Sequence, residues 1–131
     1  AMLSYSDFGE HRKHEEVRVV REAIEIVRRR RPDLDIDGEM QADTAINWDK
    51  PRDSYSFSSL TQAPNVLIFP NVSSANIAYK LLGSLTEGEA LGPLLTGIAR
   101  LVNVIPVHAS VSQIVNAATY TVNQALDRSE S

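Results

Sequence analysis

The sequence predicts an α/β domain of three layers, with helices on both faces of a mainly parallel sheet. Two observations carry this. Short apolar runs (2–5, 65–70, 90–97, 101–106) alternate along the chain with segments whose apolar residues recur at helical spacing (13–31, 71–85, 110–126). The 131 residues suffice for one domain with a real core but not for two, and 43% hydrophobic with 23% charged is the balance of an ordinary globular protein.

In chain order, Met2–Tyr5 reads as a short apolar strand with no polar lead-in, as expected of a piece cut from a larger protein. Val17, Val20, Ile24 and Val27 recur at helical spacing, so 13–31 reads as an amphipathic helix. Arg28–Arg31 load its last turn, where positive charge suits the helix dipole, and Pro32-Asp33 stop it. LDIDGEM (34–40) alternates apolar and polar and reads as strand then turn, with Gly38 free to take positive φ. Residues 42–64 form a long connection rich in Ser, Asp, Pro and Asn, and such length predicts a short helix around Asp43–Trp48. NVLIFP (65–70) reads as a central strand covered on both faces. Ser73 or Ser74 is placed to cap the next helix, whose Ile77, Leu81 and Leu82 face inward. ALGPLLTG (90–97) and LVNVIP (101–106) read as two further strands. Ser110 and Gln113 form a capping-box pattern opening a last helix that buries Ile114, Ala117, Ala118 and Val122.

Composition excludes several classes. A net charge of −4 disfavours a general nucleic-acid binder, whose affinity rests on neutralising phosphates. The arginine run points around a helix end rather than along one face. Without cysteine there is no disulfide framework, thiolate nucleophile or Cys-based zinc site, and a cytoplasmic location is expected. No apolar run approaches the roughly 18–20 residues that cross a bilayer, so no membrane partner is expected.

The chemistry-bearing residues are few. His11 and His14, three apart beside Glu15, lack a third ligand at a diagnostic spacing, so no metal site is expected. His108 follows a strand end but has no nucleophile beside it. No glycine-rich phosphate loop occurs. Polar groups do crowd two strand ends. Ser4 and Ser6 flank Tyr5 ahead of the first helix, and Asn71, Ser73, Ser74 and Asn76 follow the 65–70 run, with Lys80 one turn into the helix. In an α/β sheet ligands bind at the carboxyl ends of strands, so Ser4, Ser6, Asn71, Asn76 and Lys80 are the candidate ligand contacts, with an anionic group as the natural ligand.

LSYSDFG (3–9), DIDGEMQADTA (35–45), APNVLIFPNVSSANIAYKLL (63–82) and LGPLLTGIARLVN (91–103) follow one another as in the C-terminal part of the phosphate acetyl/butyryltransferases, which the chain resembles over about residues 2–126. The resemblance implies part of a two-subdomain fold similar to isocitrate and isopropylmalate dehydrogenases. Residues 2–96 would form most of one subdomain, and 97–131 a strand and helix returning to the other. It also implies a homodimer or higher oligomer.

One element departs. The family's DLSRGCSxxD falls on Val104–Gln113. Its reactive-site serine is replaced by Pro106, the arginine that meets the anionic substrate by Val107, and the aspartate that orients the serine by Gln113. Losing one such charge-stabilising donor typically costs about 10²–10³-fold in rate, so no catalytic residue is assigned here. The chain is most similar in this respect to the transferase-like extension of NADP-dependent malic enzymes. That resemblance implies a regulatory region that binds acetyl-CoA. Its parent chain would oxidatively decarboxylate malate to pyruvate with NADP and a divalent metal, both held outside this region. The alternatives are a fragment of an active phosphate acetyltransferase, using acetyl phosphate and CoA with a relocated site at His108 or Ser110, and a purely structural dimerisation module.

Overall fold

The computed structural model describes residues 1–48, 54–88 and 90–129, and it divides into two compact units, Ala1–Tyr79 and Lys80–Ser131. The fold is mixed α/β with a small parallel sheet.

In the first unit, β1 (Met2–Leu3) pairs in parallel with β2 (Gly38–Met40). On its other edge, Met2 forms a parallel bridge with Ile68. The backbone of β1 alternates between these neighbours: Met2 N donates to Asp37 O (2.9 Å) and Ser4 N to Met40 O (2.9 Å), while Leu3 N donates to Ile68 O (2.8 Å). β1, not the longer apolar run 65–70, is therefore the middle of the sheet. The expected covered central strand is instead an outer segment that pairs at one residue, and Ile68 remains 45% exposed. Length of an apolar run reports burial tendency but not position in the sheet.

α1 (Glu15–Arg30) follows the expectation closely. Glu15 and Glu16 occupy the first turn and Arg28–Arg30 the last, complementing the macrodipole. Val17, Val20 and Ile24 are buried, each contributing about 1.5–3 kcal/mol of apolar burial. Arg31 leaves helical geometry (φ −138°, ψ 73°) ahead of Pro32. β2 lies later than the alternation suggested: 34–37 are irregular, and the strand occupies the part read as a turn. Gly38 explains the shift. Its φ is 139°, and a Cβ there would stand 2.5 Å from the Met2 carbonyl oxygen, so only glycine lets β2 approach β1.

α2 (Ala42–Ile46) is the short helix expected in the long connection, though it ends before Trp48. The core gathers Leu3, Met40, Ala45, Trp48 and Leu60, with Phe8, Tyr55, Leu67 and Phe69 against it. Trp48 and Tyr55 stack at 6.4 Å with rings 10° from parallel, and Phe8 lies 4.7 Å from Tyr55. Residues 49–53 of this connection lie outside the described residues.

α3 (Val72–Leu85) crosses the division between the units. Contrary to expectation, its Ile77, Leu81 and Leu82 are exposed, and the helix has no buried residue. In the second unit the two expected strands reduce to an antiparallel bridge, Leu94 with Asn103. α4 (Val111–Ser129) starts where the capping box placed it. Its Ile114, Ala118 and Val122 are exposed and Ala117 is half-buried. Helical spacing marks a face that needs cover without providing the cover. The Asn103 side chain ties the bridge to this helix, donating to Thr121 Oγ1 at 2.6 Å. Among the described residues no helix is long and apolar enough to cross a membrane.

Candidate functional site

Because β2, β1 and the Ile68 segment run parallel, their carboxyl ends share one edge of the first unit. The loop after β1 carries Ser4 and Ser6, and the segment after Ile68 leads to Asn71 and Asn76. The two polar clusters thus follow neighbouring strands, as the sequence suggested. Lys80 lies one helical turn beyond Asn76 on α3, where the second unit begins.

The residues differ in what they can offer a ligand. Ser4 is half-buried and accepts a hydrogen bond from Ser6 N at 3.3 Å. Ser6 is fully buried: its hydroxyl donates to Glu39 Oε1 (3.0 Å) and accepts from His11 N (3.2 Å), so it serves the loop's interior. Asn71 is exposed, and it caps α3 in place of the expected serines. Its Oδ1 accepts from Ser74 N at 2.9 Å, and Ser74 Oγ donates back to the Asn71 carbonyl at 2.9 Å. Asn76 and Lys80 are exposed on the helix that Asn71 starts.

Sequence reasoning missed three buried carboxylates: Asp7 and Glu39 brace this edge, whereas Asp37 stands just before β2, at the amino ends of the strands. Asp7 Oδ1 accepts from Gln41 N (2.8 Å) and Oδ2 from Thr44 Oγ1 (3.1 Å), fastening the loop after β1 to the start of α2. Glu39 Oε1 accepts from Gly9 N at 2.6 Å as well as from Ser6, and Arg21 reaches Oε2 at 3.4 Å. Asp37 Oδ1 accepts from Arg28 Nη2 (2.7 Å) and Gly38 N (2.9 Å), and Oδ2 from Ser58 Oγ and Ser59 N (both 2.7 Å). Burial alone would raise the Asp37 pKa, but the bonds from Ser58, Ser59 and Gly38 and the Arg28 charge outweigh it and hold the carboxyl below its ordinary value. The signal was legible in principle: Asp37 and Glu39 flank Gly38, and Arg21 and Arg28 stand two turns apart on one face of α1.

His11 and His14 pack with Tyr5, their ring centroids 5.6 Å apart and 5.4 and 5.9 Å from the tyrosine. Among the described residues no group of three or more acidic or histidine side chains could hold a metal ion. A cavity of about 550 Å³ runs along α1 beside Gly38, where Arg18, Arg21 and Arg28 alternate with Glu22 and Glu25. A second, more apolar cavity of about 500 Å³ lies at the amino ends of the strands, lined by Ala1, Val27, Leu34, Leu60 and Val66.

In the second unit, Pro106–Ala109 form an exposed turn closed by Ala109 N donating to Pro106 O at 3.0 Å. Val107 is 97% exposed. Gln113 is committed to the helix start: its Oε1 accepts from Ser110 N (2.9 Å) while its own N–H donates to Ser110 Oγ (3.2 Å), the reciprocal capping box expected from sequence. Ser110 is thereby occupied as a cap.

The family model for phosphate acetyl/butaryl transferase matches residues 1–122. The chain belongs to this family. Two kinds of protein stand among its curated relatives. It is 40% identical over 125 residues to the phosphate acetyltransferase of Acetivibrio thermocellus, covering 95% of this chain and 37% of that protein. It is 41% identical to the NADP-dependent malic enzymes of Rhizobium meliloti and Escherichia coli, again over 95% of this chain but 16% of theirs. Among solved structures it is similar to the EutD phosphotransacetylase from Staphylococcus aureus, with a TM-score of 0.84 and 31% identity over 95% of this chain and 38% of that one. The chain thus spans well under half the length of these relatives. The transferase-like domain occurs in both kinds of protein, and identity alone does not separate them.

Proposed function

We propose that this chain is the regulatory, catalytically degenerate transferase-like region of an NADP-dependent malic enzyme. The parent would carry out oxidative decarboxylation of malate to pyruvate, with NADP and a divalent metal bound elsewhere in its chain. This region would bind acetyl-CoA as an effector and contribute to a dimeric or higher assembly. The carrying observation is the Val104–Gln113 element. Pro106 and Val107 stand exposed on a turn where the family has its serine and arginine, and Gln113 is spent on a helix cap. None of these side chains can activate a nucleophile or pair with phosphate.

The polar ends after β1 and the Ile68 segment support ligand binding, with Ser4, Asn71, Asn76 and Lys80 as the contacts to phosphate or pantetheine and Ser6 shaping the loop from within. Residues 2–96 would belong to one subdomain of a three-layer, isocitrate dehydrogenase-like pair, and 97–131 would return to the other. A ligand regulates only through unequal affinity for two states, so regulation implies that dimer or subdomain packing differs between them. The test is acetyl-CoA titrated up to millimolar concentration against the full-length enzyme. A saturable change in malate oxidation is expected, and a flat response sinks the reading.

The 40% identity to phosphate acetyltransferases favours a second reading, an active transferase fragment. A coupled assay of acetyl phosphate and CoA with the full-length protein separates the two. Turnover abolished by His108→Ala supports the transferase, and no turnover excludes it.

A further inference from the structure

We propose that Glu39 is the positioning residue of the Ser4–Gly9 loop, holding it in the geometry that receives the acyl-CoA ligand; this rests on the regulatory reading above. Three observations converge. First, Glu39 has no exposed surface, and a buried carboxylate is costly unless its lone pairs are satisfied. An apolar residue would suit the strand better on packing grounds alone. Second, its bonds go to the loop: Oε1 takes the Ser6 hydroxyl at 3.0 Å and the Gly9 amide at 2.6 Å, and its main-chain carbonyl takes Phe8 N at 2.7 Å. Third, the loop is held where one of its residues, Phe8, would not rest by itself. Phe8 has φ 42° and Gly9 φ 95°, and a left-handed conformation at a bulky residue persists only when its surroundings impose it. Ser6 extends the hold by accepting from His11 N. With Ser6, Gly9 and His11 all bonded inward, Tyr5 is left exposed and Ser4 partly so at the strand's end. Asp37, on the other side of Gly38, binds the distant Ser58–Ser59 segment instead, which supplies an internal control.

The experiment uses the full-length enzyme with Glu39→Gln, with Asp37→Asn as the comparison. Amide hydrogen exchange at Gly9 and His11 is measured, together with the acetyl-CoA concentration giving half the effect on malate oxidation. Glu39→Gln keeps the volume but turns an amide donor towards Arg21 or towards the Ser6 and Gly9 donors. The expected result is faster exchange at both amides. If the loop then holds its binding geometry about one-tenth of the time, the half-effect concentration rises about tenfold. Asp37→Asn lowers stability and leaves that concentration where it was. Should Glu39→Gln fail to fold, Ser6→Ala removes one of the two loop donors with almost no change in volume, and a few-fold rise is expected. An unchanged half-effect concentration in a folded variant overturns the proposal, whatever the exchange rates. A wild type indifferent to acetyl-CoA sinks the regulatory reading itself, and the exchange rates then decide separately whether Glu39 holds the loop.

Discussion

Asp37→Asn tests the carboxylate network directly. In the native chain the carboxylate receives four hydrogen bonds, two on each oxygen. An asparagine of the same shape keeps one oxygen and presents an NH₂ on the other side. Turned towards Arg28 and Gly38, the NH₂ faces two donors, neither of which can reverse. Turned towards Ser58 and Ser59, it meets a hydroxyl that can rotate to accept and one N–H that cannot. The second orientation wins, losing the Ser59 bond and reducing the Arg28 bond from charge-assisted to ordinary. At about 1.5 kcal/mol for each charged hydrogen bond lost or weakened, the cost is about 3 kcal/mol. The Arg28 side chain is 38% exposed and recovers part of this through water, so about 2 kcal/mol is the lower expectation. Trp48 is the chain's single tryptophan and is buried, so its fluorescence reports urea unfolding of this unit. With an m value of about 2 kcal/mol/M, the midpoint should fall by about 1–1.5 M with no change in slope. A shift below about 0.3 M would refute the reasoning, because it would mean that four short bonds to a buried carboxylate contribute nothing net.

The same residue fixes a pH dependence. The native carboxyl is held below its ordinary value, so its contribution is complete above the unfolded pKa of about 3.9 and drains away as pH falls through the lower native value. The stability gap between wild type and Asp37→Asn should therefore be constant from pH 5 to neutrality, within about 0.5 kcal/mol, and close in stronger acid; a gap that widens on acidification contradicts the assignment. Gly38→Ala places a methyl group 2.5 Å from the Met2 carbonyl oxygen at a φ that alanine avoids, and should cost about 3 kcal/mol or more, read as a lowered urea midpoint. Ser110→Ala removes one half of the capping box on α4 and should cost about 1 kcal/mol, measured as faster amide exchange in the first turn of that helix while exchange in α1 stays the same.

How much of this was legible in the sequence divides along a physical line. Features written in local periodicity and cap chemistry were readable. α1 stands within two residues of its expected bounds because Val17, Val20 and Ile24 keep helical spacing and Pro32 ends it. α4 opens at its capping box for the same kind of reason. Features set by pairing and by burial of charge were not. β2 was placed four residues early because alternation treats acids as outward-facing, whereas Glu39 is buried and Asp37 nearly so, compensated by bonds from residues 18 to 33 positions away. Of the candidate site, the two polar strand ends were found, but Ser6 and Asn71 turned out to hold their own loop and helix. Glu39, which holds Ser6, was overlooked because alternation reads an acid as outward-facing, although its place beside Gly38 was visible.

The two halves of the chain point to function in opposite ways. On the proposed reading, an exposed turn and a helix cap stand at Val104–Gln113 in place of the polar groups needed for turnover. Around the sheet of β1 and β2 the reverse holds. Asp7, Asp37 and Glu39 are taken out of water, each at a desolvation cost, and each is satisfied by amides, hydroxyls or arginines from another element. Two of the three, Asp7 and Glu39, are spent on the one loop that carries Ser4 and Tyr5. A module needed only for dimer contacts gains nothing from fixing that loop, because apolar packing would hold the sheet at lower cost. A ligand site does gain, since affinity depends on how often the binding geometry is already formed. A pre-set loop is what the proposed reading requires, that of a domain which binds an acyl-CoA ligand and does not convert it.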